Sequence, residues 1–266
     1  MRWHRWSEWL PDRAPRAASS AGGKTGGVAS YYDRSLPVLH TALDRAAGRR
    51  ATLAYIAPFL VFVGFMAMQS AIHLPAHWYY PLQFVTVLST IVFVSRPVLS
   101  FRAAFPLASI GIGIAVFLIW IGPDVLWGYR HHWLFDNFIT GAPASSLAPA
   151  LRRNVIFIVL RVASSMALVP ILEELFWRGW LMRWLIGKNF LKVPLGTYAP
   201  AAFWIVAVLF ASEHGPYWEV GLAAGIAYNW WLVHTRNLAD CMLAHAVTNG
   251  LLAVYVLTMG QWQYWL

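Results

Sequence analysis

Two adjacent glutamates inside an apolar stretch carry the strongest chemical signal in this chain. Glu173 and Glu174 lie in the segment Val169–Gly179, and Arg178 follows four residues after the second glutamate. On a helix Glu174 and Arg178 share a face and can form an ion pair, whereas Glu173 points about 100° away from Glu174. Glu173 is therefore predicted to be an unpaired carboxylate facing a cavity, where it can act as a general base or acid.

Two further motifs place polar side chains on apolar segments. Phe210 and His214 are i and i+4 at the end of one segment, with Glu213 beside the histidine. His245 and Asn249 are also i and i+4, so they share a helix face and can donate two hydrogen bonds to one developing oxyanion. Taken singly, such a histidine or asparagine is more often an interhelical hydrogen-bond partner, and Glu213 is equally explained as an interfacial charge.

The composition predicts a polytopic membrane protein of the all-α class. Of the 266 residues, 59% are hydrophobic and only 12% are charged, about half the charged share of a typical soluble domain. Several runs approach the roughly 20 apolar residues that a membrane-spanning helix needs, and their continuity excludes the alternating pattern of a β-barrel. We expect a transmembrane helical bundle of seven or eight spans.

The apolar runs divide the chain into three regions. Residues 1–50 are predicted to form a basic, flexible tail, residues 51–149 to form N-terminal transmembrane helices and a loop, and residues 150–266 to carry the three motifs. This layout sets Glu173 and His214 towards opposite ends of their spans, although joint chemistry needs them close together. The predicted spans cover about 52–72, 79–95, 104–121, 154–170, 199–214, 217–234 and 238–259, with 175–192 as a short or amphipathic helix.

Charge and tryptophans characterise the N-terminal tail. The net charge is +9, and the first 50 residues hold nine basic and four acidic residues. The positive-inside rule explains this excess, so we expect a cytoplasmic N-terminus in the inner membrane and no nucleic-acid partner. Trp3, Trp6 and Trp9 would share a helix stripe, which fits either an interfacial helix on anionic lipid or a disordered tail. The single cysteine, Cys241, is expected to be a small core residue.

Together the three motifs resemble the CAAX prenyl protease 2 family, also called the CPBP intramembrane proteases. Any one of the motifs is weak evidence, but all three in this order in a helical membrane protein are specific. The resemblance covers about residues 150–260, and the context of the first motif is also similar to a bacterial branch associated with PEP-CTERM/exosortase systems. The matching residues are Glu173-Glu174-x-x-x-Arg178, Phe210-x-x-x-His214 and His245-x-x-x-Asn249.

The resemblance implies hydrolysis of a peptide bond inside the membrane. Glu173 and His214 would activate a water molecule, and His245 with Asn249 would stabilise the tetrahedral oxyanion. The partners implied by this location are membrane lipids and a protein or peptide substrate with a lipidated or membrane-embedded segment. The supporting residues that hold the site's shape would be Glu174, Arg178 and Phe210.

The sequence leaves alternatives open for both the cofactor and the class of function. The chain has no His-Glu-x-x-His zinc signature, and we favour a mechanism without a metal or other cofactor, although Glu173, His214 and His245 could hold zinc with one open position. A proton-coupled transporter also uses intramembrane ionisable residues, but no inverted repeat is visible in the sequence. A third class is a non-catalytic membrane scaffold or immunity protein of the same fold.

Overall fold

The computed structural model describes residues 36–145 and 147–265, and over those ranges its regular secondary structure is helical, apart from one isolated bridge between Asn137 and Gly141. Side chains are described from residue 48 onwards, except at positions 131, 146 and 266. The features below belong to the unit Arg45–Leu266. The stretch with Trp3, Trp6 and Trp9, and most of the predicted tail, lie outside the described residues.

Seven helices occupy the described part of the chain. Short 3₁₀ turns and loops connect them, and the longest connection, between the third and fourth helices, contains the bridge noted above. The helices are α1 (Leu36–Ile72), α2 (Ala76–Val98), α3 (Pro106–Trp127), α4 (Val155–Ile186), α5 (Pro200–Ser212), α6 (Trp218–Thr235) and α7 (Leu238–Met259).

Five of these helices are long and apolar enough to cross a membrane. They are α2, α3, α4, α7 and the Gly48–Ile72 part of α1, and they confirm the prediction of an all-α integral membrane protein. α5 is apolar but shorter, and α6 does not reach the same apolar threshold. The predicted seven or eight spans therefore agree only roughly with the structure, in which seven helices include five candidate spans.

The fourth helix is continuous where the sequence predicted a break. Val155–Ile186 contains 32 residues, about 48 Å at the usual rise of 1.5 Å per residue, and it absorbs most of the separate short helix predicted for 175–192. Two basic residues beyond the predicted end of the span at residue 170 have local partners. Arg178 pairs with Glu174, and Arg183 donates to two backbone carbonyl oxygens. Their charges therefore do not end the helix.

Two turns of α4 have π-helical hydrogen bonding, Ser164–Leu168 and Leu175–Leu181. Pro170 lies between them and lacks the N–H group that an uninterrupted α-helix would use. Such π turns occur often at functional sites. The two glutamates therefore sit between two irregular turns of one long helix, and not at the start of a new one.

The fifth helix is too short to span a bilayer. Pro200–Ser212 contains 13 residues, a length of about 20 Å against roughly 30 Å for the hydrocarbon core. A 3₁₀ turn, Gly215–Tyr217, then leads into α6, which packs against α5. His214 thus lies at the turn between two paired helices. The predicted full span over 199–214, which separated His214 from Glu173, was wrong.

The last helix packs against α3, α4 and α6, most extensively against α3. At Gly113 of α3 the two backbones approach so closely that a Cβ would overlap the carbonyl oxygen of Ala244 and the side chain of Val247. Small residues permit this kind of approach between membrane helices. Cys241 is fully buried in the same core, as predicted. This packing fixes the position of the polar residues that α7 carries.

A buried arginine ties the connection after α3 to the start of α6. Arg130 Nη1 lies 2.8 Å from Glu219 Oε1, and Arg130 Nε lies 3.3 Å from Asp124 Oδ2. The Tyr129 hydroxyl donates to Glu219 at 2.8 Å. Burial, together with this hydrogen bond, raises the pKa of Tyr129 to about 12. The network holds the first turn of α6 in place, close to the turn that carries His214.

Candidate active site

One cavity of about 220 Å³ brings together the four residues predicted to be catalytic. Glu173 comes from α4, His214 from the turn after α5, and His245 and Asn249 from α7. Phe210, predicted as a supporting residue, also lines this cavity. The three motifs, which are far apart in sequence, therefore converge on one space, while the roles predicted for their residues remain predictions.

Glu173 is half-buried in the wall of the cavity. Its Oε2 atom is buried and has no hydrogen-bond partner among the described residues. Leaving a buried polar atom unsatisfied costs about 1–3 kcal/mol, so such atoms in native proteins call for an explanation, such as a role in catalysis or ligand binding. A role in catalysis or ligand binding therefore explains Glu173 better than a purely structural role does.

Glu174 bridges two cationic or potentially cationic groups beside the cavity. Its Oε1 lies 3.2 Å from Arg178 Nη1 and 3.0 Å from His245 Nδ1. The side chains of Glu174 and Arg178 are completely buried. The ion pair is the one that their i,i+4 spacing predicts, and the contact with His245 adds a link from α4 to α7. The adjacent glutamates thus have separate environments.

Arg178 is held by two other helices as well as by its own. Its Nε donates to Asn229 Oδ1 of α6 at 2.9 Å, and its Nη2 donates to the Gly225 carbonyl oxygen at 3.4 Å. Its guanidinium carbon lies 4.4 Å from the centroid of the Phe210 ring of α5. The Asn229 amide in turn donates to the Phe203 carbonyl oxygen at 2.8 Å. These contacts suit Arg178 to a structural role that joins α4, α5 and α6.

The surroundings of His214 fix which of its nitrogens carries a proton. His214 Nδ1 lies 2.7 Å from the Phe210 carbonyl oxygen, and because a carbonyl can only accept, Nδ1 must be the donor. In the neutral ring Nε2 then keeps its lone pair and is available as a base. The Trp120 ring packs edge-on against the imidazole, at 5.2 Å between centroids, and restricts its orientation.

Gly221 of α6 leaves room for the His214 ring. A Cβ at this position would lie 3.0 Å from both Cγ and Nδ1 of His214, which is tighter than ordinary van der Waals contact. Any larger residue would therefore push the imidazole towards the cavity or break its bond to the Phe210 carbonyl. Glu213, next to His214, is exposed and accepts a hydrogen bond from Trp177 Nε1 at 3.2 Å, consistent with its simpler interpretation as a peripheral charge.

His245 is fixed by a chain of contacts that reaches α3. Its ring stacks on Tyr228, with 5.0 Å between centroids and 22° between planes. The Tyr228 hydroxyl donates to Thr248 Oγ1 at 2.8 Å, and Thr248 donates to the Gly113 carbonyl oxygen at 2.9 Å. Together with the Glu174 contact, this arrangement sets both the plane and the position of the imidazole.

Asn249 is anchored to a carbonyl oxygen that α4 leaves without a helical partner. In the π turn the Val169 N–H donates to the Ser164 carbonyl oxygen, and not to that of Ser165 as in an α-helix. The next residue, Pro170, has no N–H to donate. Asn249 Nδ2 donates to the Ser165 carbonyl oxygen at 2.8 Å. The irregular turn therefore orients an amide on a different helix.

Sequence reasoning missed several residues that shape this site. A charge inside the apolar run of α4 should have drawn attention to Arg161, which lines the cavity, because intramembrane charges usually mark function. Asn229 and Tyr228 look like ordinary helix residues, and Gly221 looks like one small residue among several in α6. Their importance comes from packing between helices, which spacing within one segment does not reveal.

The candidate ligands for a metal ion are Glu173, His214 and His245. Within the described residues no group of three or more His, Cys, Asp or Glu side chains is placed to bind one. We therefore derive no step that uses a metal.

Residues 155–251 match the family model described as type II CAAX prenyl endopeptidase Rce1-like. This region is therefore similar to the type II CAAX prenyl endopeptidases of the Rce1-like family. The prediction drawn from the three motifs is thereby confirmed at the level of the family. The Rce1-like region begins with the first residue of α4 and ends within α7, so it contains all four residues predicted to be catalytic.

No curated protein and no solved structure matches the chain. The assignment to the Rce1-like family therefore comes from the family model and the motifs. The resemblance to the PEP-CTERM/exosortase-associated branch remains a prediction.

Proposed function

We propose that this protein is an intramembrane endopeptidase of the CAAX prenyl protease type. The observation that carries the proposal is that Glu173 and His214, from separate helices, line the same cavity as His245 and Asn249. A carboxylate and an imidazole base facing two potential oxyanion donors are the groups that hydrolysis of a peptide bond requires. The match of residues 155–251 to the Rce1-like family model supports the same reaction class.

In the proposed mechanism Glu173 and His214 activate a water molecule. The water oxygen attacks the carbonyl carbon of the scissile peptide bond, and its proton passes to the Glu173 carboxylate or to His214 Nε2. The same groups then return a proton to the leaving nitrogen as the C–N bond breaks. The lone pair on His214 Nε2, which follows from the Nδ1 bond to the Phe210 carbonyl oxygen, suits this exchange.

His245 and Asn249 would stabilise the oxyanion. Because His245 Nδ1 is bonded to Glu174, its Nε2 can donate only if both ring nitrogens carry protons or if Glu174 supplies the shared proton. A doubly protonated imidazole would be the stronger oxyanion donor, because hydrogen bonds from charged donors are roughly twice as strong as neutral ones. Asn249 uses one amide hydrogen for the Ser165 carbonyl oxygen and keeps a second for the substrate.

The substrate follows from where the cavity lies. Most of the residues that form it belong to helices long and apolar enough to cross a membrane, so we propose a protein or peptide with a lipidated or membrane-embedded segment, including a CAAX box. Membrane lipids would be the other partners, and nucleic acid is not expected. We propose the cytoplasmic membrane as the location, with the N-terminus on the cytoplasmic side.

The direct test is cleavage of a quenched peptide library by the purified protein in nanodiscs. Cleavage would separate the peptidase from a transporter or a non-catalytic scaffold, and the cut sequences would define the substrate. Proton-coupled uptake into liposomes by protein that cleaves no prenylated or unmodified peptide would contradict the proposal.

We expect the cleavage activity to survive strong chelators. Glu173, His214 and His245 do not form a metal-binding group in the described structure, so removing metal ions should change kcat/KM by less than twofold. The measurement is peptide cleavage before and after extensive chelation, with the metal content determined by mass spectrometry. Recovery of lost activity on adding zinc to the metal-free protein would overturn the expectation.

We also expect Gly221→Ala to slow cleavage about tenfold with little change in thermal stability. The added methyl group would displace His214 by a few tenths of an ångström, and a displacement of about 1 Å at a catalytic group can cost roughly 100-fold. Gly111→Ala is the matched control, because a Cβ at Gly111 meets nothing within 4 Å. Equal rates for both variants and the unchanged protein would show that His214 does not need its present position.

A further inference from the structure

Contacts between helix ends define one face of the helical bundle. Asp240, at the start of α7, accepts hydrogen bonds from the N–H groups of Ala104 and Phe105, both at 2.9 Å, just before α3 begins. The Phe190 ring, shortly after α4 ends, packs edge-on against Tyr55 near the start of the apolar part of α1, at 5.4 Å between centroids. Short connections bring the neighbouring helix ends to the same side. This side, which we call the basic face, contains the helix ends at Gly48, Val98, Pro106, Ile186, Pro200, Thr235 and Leu238.

The other ends of the same helices point to the opposite face. The Tyr264 hydroxyl, after α7, donates to Asp124 near the end of α3 at 2.7 Å. The Tyr80 ring, near the start of α2, packs against Phe157 near the start of α4, at 4.6 Å between centroids. The helix ends at or directed towards the opposite face are Ile72, Ala76, Trp127, Val155, Ser212, Trp218 and Met259.

Positive charge is concentrated on the basic face. Seven exposed lysines and arginines lie at or near its helix ends, and the acidic residue described there, Asp240, is buried. The connections at the opposite face contribute three arginines among the described residues, of which Arg130 is buried, Arg152 is half-buried and Arg153 is exposed. The positive-inside rule therefore assigns the basic face to the cytoplasm. The seven exposed residues are Arg49, Arg50, Arg96, Arg102, Lys188, Lys192 and Arg236.

The active-site cavity extends from Glu173 towards the opposite face. Its wall includes Tyr80 near the start of α2, Leu160 near the start of α4, and Trp265 beyond the end of α7. Leu160 and Glu173 are about 20 Å apart along α4 at 1.5 Å per residue. The wall of the cavity therefore includes parts of several elements that lie close to the opposite face.

A packed layer lies between Glu173 and the basic face. Arg178, which follows Glu173 on α4, is completely buried together with its partners Glu174 and Asn229. The side chains of Leu175, Met182 and Leu232 are also buried, with at most 1% of their surface exposed. This layer separates the reactive carboxylate from the cytoplasmic side that the charges indicate.

We propose that the active site opens to the non-cytoplasmic side of the membrane, so that the enzyme cuts protein segments that have been inserted into the membrane or exported across it. The inference rests on the proposed endopeptidase function. Of the substrates proposed above, it selects a membrane-embedded or exported segment over a lipidated tail that stays in the cytoplasm.

The orientation is tested by labelling introduced cysteines with a small thiol reagent that does not cross membranes. Bacterial spheroplasts present the non-cytoplasmic face to the reagent, and inside-out vesicles present the cytoplasmic face. Lys188→Cys reports on the basic face and Asp136→Cys on the opposite face, since both residues are exposed, and Leu160→Cys reports on the cavity wall. The unchanged protein is the control, because its single cysteine, Cys241, is fully buried.

We expect Asp136→Cys and Leu160→Cys to react in spheroplasts and Lys188→Cys to react only in inside-out vesicles. Reaction of Lys188→Cys in spheroplasts would contradict the assignment of the faces. Reaction of Leu160→Cys only in inside-out vesicles, or in neither preparation, would show that the cavity does not open to the opposite face. Tyr80→Cys provides a second position on the cavity wall, and thermal unfolding of each variant checks the fold.

Cleavage on each side of the membrane then shows which face receives the substrate. The probe is a water-soluble quenched peptide that the purified protein cleaves in detergent. A peptide backbone loses its hydrogen bonds to water in the hydrocarbon core, so we expect the probe to stay outside and to be cleaved at least about tenfold faster by spheroplasts than by inside-out vesicles. Detergent should remove the difference, and Glu173→Gln measures the background of other proteases.

The results distinguish a wrong orientation from a wrong function. Equal or faster cleavage by inside-out vesicles would place the substrate in the cytoplasm and would overturn the inference while keeping the peptidase. Labelling of the cavity wall from the non-cytoplasmic side, with no cleavage of any peptide in detergent, would keep the direction in which the cavity opens and refute the peptidase.

Discussion

Replacing Glu173 by glutamine is expected to abolish peptide cleavage while leaving the fold intact. The amide keeps the shape of the side chain but cannot take a proton from water, and loss of a general base typically lowers kcat by about 100- to 10,000-fold. The melting temperature should not fall, because the buried Oε2 atom of Glu173 has no hydrogen-bond partner in the described structure to lose. The measurements are cleavage of a quenched peptide and thermal unfolding in the same detergent.

Asp136→Asn is the matched control for this change. Asp136 is an exposed carboxylate in the connection between α3 and α4, so its amide variant should keep full activity. Undiminished cleavage by Glu173→Gln would remove Glu173 from the mechanism and would point to a contaminating protease. A parallel fall in melting temperature would instead indicate that Glu173 supports the structure.

Replacing Arg178 by methionine is expected to have the largest effect on stability. The change leaves the buried Glu174 carboxylate without its guanidinium partner and Asn229 Oδ1 without its donor. Breaking a buried ion pair by removing one partner costs about 3–5 kcal/mol. For a chain of this size the melting temperature should fall by roughly 10 °C. Activity should fall too, because Glu174 also orients His245.

Two comparisons identify the cause of that loss. Arg153→Met removes an exposed arginine and should change the melting temperature little. Arg178→Met combined with Glu174→Leu removes both charges and should recover part of the stability, because no unpaired carboxylate is then buried. If the melting temperature of Arg178→Met equals that of the unchanged protein, the ion pair does not stabilise the fold. The presence of Arg178 must then be explained by catalysis.

The sequence predicted which side chains share a helix face better than it predicted the layout of the helices. Spacing within one helix is a local property, so the Glu174–Arg178 pair and the shared face of His245 and Asn249 followed from it directly. Depth in the membrane is not local. The sequence predicted that a span ends near residue 170, but buried partners satisfy the charge of Arg178 and the helix continues to Ile186.

The contacts that complete the site could not be predicted from the sequence. The Ser165 carbonyl oxygen that receives the Asn249 amide becomes available because a π turn shifts the hydrogen bonding just before Pro170. Pro170 can be read from the sequence, but the group that bonds to the Ser165 carbonyl oxygen is Asn249 on α7. Nothing in the sequence between them specifies this contact. The need for glycine at position 221 could not be predicted either, because it depends on where the His214 ring lies. Arg161 could have been noticed, since its charge lies in the middle of an apolar run.

The π turn at Ser164–Leu168 also sets the rotational phase of everything beyond it on α4. Removing one residue from that turn, so that regular α-helical bonding returned, would rotate the rest of the helix by about 100° relative to its beginning. Glu174 would then occupy the angular position of Glu173, and Leu175 would replace Glu174 opposite His245. A carboxylate would still face the cavity, but the His245 imidazole would lose Glu174 as its partner, because the Glu174–Arg178 pair would rotate away from it as a unit. Two adjacent glutamates therefore keep their distinct environments only while that extra residue is present in the helix.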